Sequence, residues 1–109
     1  RNFIHVRDVV NAIVFTMNNF SKMKNDVYNL GLSSANISKI MLAKKIQRQY
    51  KKLKIRIVTN RKDPDKRDYF VSNKKIEKKG FKAKISLDEG IQELVNVFNN
   101  DKSKIINNY

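Results

Sequence analysis

Seven charged side chains crowd around the only proline in the stretch TNRKDPDKRDYF, residues 59–70 of the 109-residue chain. Pro64 holds its own φ at about −65° and pushes Asp63 toward an extended conformation, so the charges on either side are kept apart. Arg61 and Lys62 on one flank and Asp65 on the other set cationic donors beside an anionic acceptor. The phosphate oxygens and ribose hydroxyls of a nucleoside diphosphate are targets of that pairing. The same residues also suit a solvated surface loop whose opposite charges pair locally and contribute little. Spacing alone does not separate the two readings.

The side chains of the common catalytic constellations are missing. His5 is the only histidine and there is no cysteine, so neither a His-pair nor a thiolate metal site can be built, nor a Ser-His-Asp arrangement. A lone histidine on a short apolar segment is expected to be structural. Gly31, Gly80 and Gly90 are too far apart for a phosphate-cradling loop. The YKKLK run at 50–54 has a Tyr-x-x-x-Lys spacing, but it straddles a helix end, where the two side chains do not share a face. No catalytic, cofactor-binding or metal-ligating residue is therefore assigned.

The elements that must position the charged stretch read as strands alternating with helices. FIHV (3–6) is a short apolar run, and Asp8 is a candidate N-cap for a helix with Val9, Val10, Ile13, Val14, Met17 and Phe20 on one face. DVYNLG (26–31) reads as a buried strand stopped by Gly31, and Ser38 as the cap of a helix through Tyr50, with Ile37 and Leu42 placed for a hydrophobic staple. KIRIVT (54–59) alternates like a half-buried strand. Beyond the charged stretch, Ser72 can cap a short helix through Lys79 with Gly80 at its C′ position. SLDE (86–89) is a capping box opening a last helix with Leu87, Ile91, Leu94, Val95 and Phe98 inward. The expected class is α/β, short strands alternating with helices, in one unit over residues 1–100 with a flexible tail at 101–109.

Length and 40% hydrophobic content fit one modest core. A chain of this size buries about two-thirds of its unfolded surface. The net charge of +14 invites a nucleic-acid reading. The excess is mostly lysine, 18 against 6 arginines, accompanied by 14 asparagines, which an A/T-rich coding sequence also produces. No apolar run approaches the roughly 20 residues needed to cross a bilayer. With no signal-peptide pattern and no cysteine, a soluble, cytoplasmic protein without membrane contact is expected.

Three stretches taken together, RNFIHVRDVVNAIV, DVYNLGLSSANIS and RKDPDKRDYFVSNKKIEKKGFKAKISLDEGIQELV, resemble the C-terminal part of extended short-chain dehydrogenase/reductases. These are the NAD-dependent nucleotide-sugar epimerases and dehydratases, and the resemblance runs in order from Arg1 to about Phe98. It implies the substrate-binding portion alone, without the Rossmann half that carries the dinucleotide loop and the catalytic groups. By the family pattern Arg1 and the basic position at Arg61 or Lys62 contact the diphosphate, and Asp65 accepts from ribose hydroxyls. Each such charge-assisted bond contributes roughly 1.5–3 kcal/mol. Asn2 stands where the family often has Asp, Lys62 where many members have the bidentate Arg, and Ala83 where Pro is common.

The implied partners are a nucleotide-sugar and the parent's N-terminal Rossmann half. NAD or NADP belongs to that full-length parent, and no cofactor is expected on this chain alone. The chain alone is expected to be inactive and, through an exposed sheet edge and uncovered helix faces, to self-associate. The competing expectation is a free-standing basic nucleic-acid-binding module. Its cue, aromatics interleaved with exposed basic residues, is met only at Tyr69 and Phe70, since Phe15, Phe20, Phe81 and Phe98 are assigned to core faces. Nucleic acid is therefore not the expected partner.

Overall fold

A computed structural model describes residues 1–58 and 69–100. The elements are helices: α1 (Val6–Asn18), α2 (Phe20–Met23), a 3-10 turn (Ser33–Ala35), α3 (Lys39–Gln49), α4 (Lys74–Lys78) and α5 (Leu87–Asn100). Among the described residues there is no strand, only one isolated antiparallel bridge between Asn2 and Asn36. This overturns the α/β expectation. The segments 3–5, 26–30 and 54–58, where strands are expected, have no regular secondary structure. A strand is defined by a neighbour that takes its N–H and C=O groups. Residues 1–3 find such a neighbour briefly in 32–37, and the 3-10 turn then breaks the pairing.

Helix starts follow local chemistry, in two cases at other residues than the sequence suggests. α1 begins at Val6, inside the expected first strand, because the His5 side chain accepts from Arg7 N–H and caps it. Asp8 is not the cap. It is buried, and its Oδ2 accepts from Lys84 N–H at 3.0 Å and Ile85 N–H at 2.9 Å, tying α1 to the approach to α5. α4 starts after Asn73 rather than Ser72. Ser38 caps α3 by accepting from Met41 N–H, and Ser86 and Glu89 exchange the two bonds of a capping box at α5. At the end of α4, Gly80 has φ +105°. Phe81 N–H reaches Ile76 C=O and Gly80 N–H reaches Glu77 C=O, the two bonds of a Schellman motif.

The core is thin and divided. One cluster joins Ala12, Met23, Ile76 and Phe81, with Phe15 set 5.6 Å from Phe81 between ring centroids; the other joins Leu32, Ala35 and Ala83 beneath Phe3, Ile4 and Leu87. α5 contributes Ile91 and Val95, and α3 packs on it through the edge-to-face Tyr50–Phe98 pair and the Lys45–Asp88 ion pair. The expected inward faces are only partly inward. On α1, Val10, Ile13, Val14 and Met17 are exposed, as are Phe20 on α2 and Leu94 and Phe98 on α5. α1 instead turns Asp8 and Ala12 inward. The expected tail at 101–109 lies outside the described residues.

Candidate functional site

The N-terminal strip and the residues that close the charged stretch are stitched to the same short segment, 32–37. Arg1 exchanges both backbone bonds with Ile37, at 3.0 and 2.9 Å, and Phe3 N–H donates to Ala35 C=O. One residue before Ile37, the Asn36 carboxamide grips Val71 from both sides: its Nδ2 donates to Val71 C=O and its Oδ1 accepts from Val71 N–H, each at 3.0 Å. A carboxamide used in this way replaces a strand neighbour for one residue.

Arg1 and Tyr69 meet as a result. Arg1 Nη1 donates to the Tyr69 hydroxyl at 3.3 Å, and the guanidinium carbon lies 5.9 Å from the ring centroid, within cation–π range. Around them the polar stitching continues. Asn2 Nδ2 donates to Leu32 C=O, Asn29 Nδ2 donates to Ser72 C=O, Asn73 Nδ2 donates to Ser33 Oγ, and Ser33 Oγ donates to Glu77. Asn73 is buried. Gly31 leaves room for the Asn2 carboxamide at this crossing, and a Cβ there would force that side chain to shift.

Of the residues assigned from the sequence, Arg1 is placed beside Tyr69, near the C-terminal end of the charged stretch. Arg61, Lys62 and Asp65 lie outside the described residues. Tyr69 and Asn36 were not assigned. The signal for Tyr69 was its position against the basic cluster; Asn36, in a polar connector, has no sequence signal for its bond to Val71, 35 residues away.

Two other features are chemically less suited. An open groove of about 660 Å³ runs between α3, α5 and residues 3–6, lined by Leu42, Ile46, Tyr50, Leu53, Leu94 and Phe98 among others. Its polar groups are few. His5 Nε2 meets Glu93 Oε2 at 3.2 Å, and the same oxygen receives Arg7 Nη2 at 2.5 Å. The hydrogen bond from Arg7 holds the Glu93 carboxyl below the usual glutamate range, so it stays ionised and paired rather than poised as an acid. Among the described residues no group of three or more His, Cys, Asp or Glu side chains is placed to hold a metal ion, and no helix is long and apolar enough to cross a membrane. Comparison of the sequence with protein-family models finds no match.

Proposed function

We propose that this chain binds the nucleoside diphosphate of a nucleotide-sugar, as the substrate-binding half of an NAD-dependent epimerase or dehydratase of the extended short-chain dehydrogenase/reductase type. The observation that carries the reading is the meeting of Arg1 with Tyr69. A guanidinium distant in sequence is brought to the end of the stretch holding Arg61, Lys62 and Asp65, where the resemblance puts the diphosphate and ribose contacts. Catalysis belongs to the parent's N-terminal Rossmann half, which also carries NAD or NADP. The residues here do not fit a dinucleotide, because the three glycines are scattered and Gly31 is taken up by Asn2. That other half is the partner we assign to the exposed apolar face of α1. The cytoplasm, where nucleotide-sugars are made, is the compartment we assign.

Isothermal titration of the chain with UDP and with GDP tests this. The expected result is binding of one of them, weakened about tenfold or more by Arg61→Ala and by Asp65→Ala, since each removes a charge-assisted bond. Affinity unchanged in both variants, or no binding of either nucleotide, contradicts the reading.

A second reading has one observation in its favour: Phe70 and Tyr69 are exposed beside the basic stretch, as on a single-stranded nucleic-acid surface. Salt separates the two. A polymer binder loses affinity steeply as ionic strength rises because several counterions are released, whereas a site for one diphosphate gives a shallow slope.

A further inference from the structure

The groove between α3 and α5 has the shape of a trough for a helix. Leu42, Ile46 and Tyr50 stand four residues apart and so share one face of α3. Facing them, α5 offers Leu87, Leu94 and Phe98, and Leu87 to Phe98 spans about 16 Å at the helical rise. The walls are open: Leu94 is 71% exposed and Val97 52%. A site for a small apolar molecule covers about 70–90% of its ligand, which walls this open do not do. An amphipathic helix needs only one face covered, and it docks in such a groove through anchors at i, i+3 or i+4 and i+7.

The charges around the groove fix the character of that helix's other face. Its acidic residues are already engaged, Asp88 by Lys45 at 2.7 Å and Glu93 by Arg7 and His5. Past Tyr50, around Leu53, the chain reads KKLKIR over 51–56, without an acidic side chain. Lys51, Lys52 and Lys54 are exposed, and among the described residues no ion pair engages them. A second copy of the chain would bring another net charge of +14 to this edge, and like charges across an interface oppose docking. The exposed ridge of α1, which we assign to the Rossmann half, shares only Val6 with the lining of the groove.

We infer that the α3–α5 groove receives an acidic amphipathic helix of another protein, its apolar stripe laid on Leu42, Ile46, Leu94 and Phe98 and its carboxylates facing Lys51, Lys52 and Lys54. The contact does not depend on the nucleotide reading. It gives the chain a protein-docking surface separate from the Arg1–Tyr69 site.

Three synthetic peptides of about 18 residues, above the length at which isolated helices are marginal, test this by fluorescence anisotropy. The first carries leucine at i, i+3, i+4 and i+7 with glutamate on the opposite face. The second has lysine for each glutamate, and the third scrambles the first so that composition stays and the stripe is lost. The first is expected to bind saturably, and the other two at least about tenfold more weakly. Leu94→Glu, and separately Lys51→Glu with Lys52→Glu and Lys54→Glu, are each expected to weaken the first peptide about tenfold or more while leaving the circular dichroism spectrum and the UDP titration unchanged. No binding of the first peptide, equal binding of the scrambled or lysine peptide, or affinity unchanged by Leu94→Glu overturns the inference. Sedimentation equilibrium supplies the remaining check: a shift of the chain toward monomer in Leu94→Glu would show the groove occupied by a second copy and would also overturn it.

Discussion

Asp8 shows how much a single side chain carries here and how little of that its sequence position reveals. Its place before an apolar stripe suggests a helix cap, yet His5 takes that role and Asp8 turns inward to accept from two backbone N–H groups 76 and 77 residues away. Local pattern identifies a carboxylate near a helix start; only the tertiary fold supplies the donors. Asp8→Ala would strand both N–H groups and is expected to destabilise the chain by about 2–4 kcal/mol, read from the urea midpoint. Asp8→Asn, which keeps an acceptor, should cost less. A loss below about 0.5 kcal/mol for the alanine variant, a surface-like value, would mean the tie is not made. Gly31→Ala acts one step from the candidate site: the added methyl must displace the Asn2 carboxamide and with it the bond to Leu32 C=O. UDP titration is expected to show weaker binding in that variant, because Asn2 adjoins Arg1.

At the scale of elements, what was legible in the sequence is what depends on neighbouring residues. The Ser38 cap, the Ser86–Glu89 box and Gly80 past the end of α4 all form as the residue types dictate. Gly80→Ala puts a side chain at φ +105° and is expected to cost about 1–2 kcal/mol, visible as a lowered thermal midpoint; an unchanged midpoint would deny the motif its role. The box also has a pH signature. Hydrogen bonds from the Ser86 hydroxyl, and then from its backbone N–H, lower the pKa of Glu89 from the ordinary 4.5. A carboxyl lowered by folding adds stability that is fully present above its unfolded value and disappears as pH falls through the lower folded value. The first turn of α5 is therefore expected to lose hydrogen-exchange protection below pH 4.5, and Glu89→Gln should remove that pH dependence. The strands were not legible, because β pattern promises a face without naming a neighbour. Residues 54–58 alternate as a strand should, yet Ile57 is 70% exposed and finds no ladder among the described residues.

Across the whole molecule, amphipathic helices formed with their apolar faces only partly covered. Val6, Val10, Ile13, Val14 and Met17 make an exposed ridge along α1, Phe20 at the start of α2 is exposed as well, and the groove between α3 and α5 stands open. An exposed apolar surface of this extent favours association. Sedimentation equilibrium is expected to show the chain self-associating as its concentration rises, and Ile13→Ser with Met17→Ser should shift it toward monomer. A monomer at all concentrations would leave the ridge without a partner of its own kind. The periodicity of the sequence gave away the stripe but not which side of the fold it would occupy, since that depends on where Asp8 and Ala12 are anchored. The candidate site was half legible for a similar reason. The charged residues around Pro64 are read directly from residue types, whereas the meeting of Arg1 with Tyr69 depends on Asn36 joining segments far apart in sequence. The central claim is that a nucleotide's diphosphate sits between Arg1 and the stretch ending at Tyr69, and a nitrogen–proton correlation spectrum recorded as UDP or GDP is added tests it most directly. The account predicts saturable shifts concentrated at the Arg1 side chain, at residues 61–65 and at Tyr69 and Val71. Shifts confined to the α3–α5 groove, or spread evenly over the lysine-bearing helices, would contradict it.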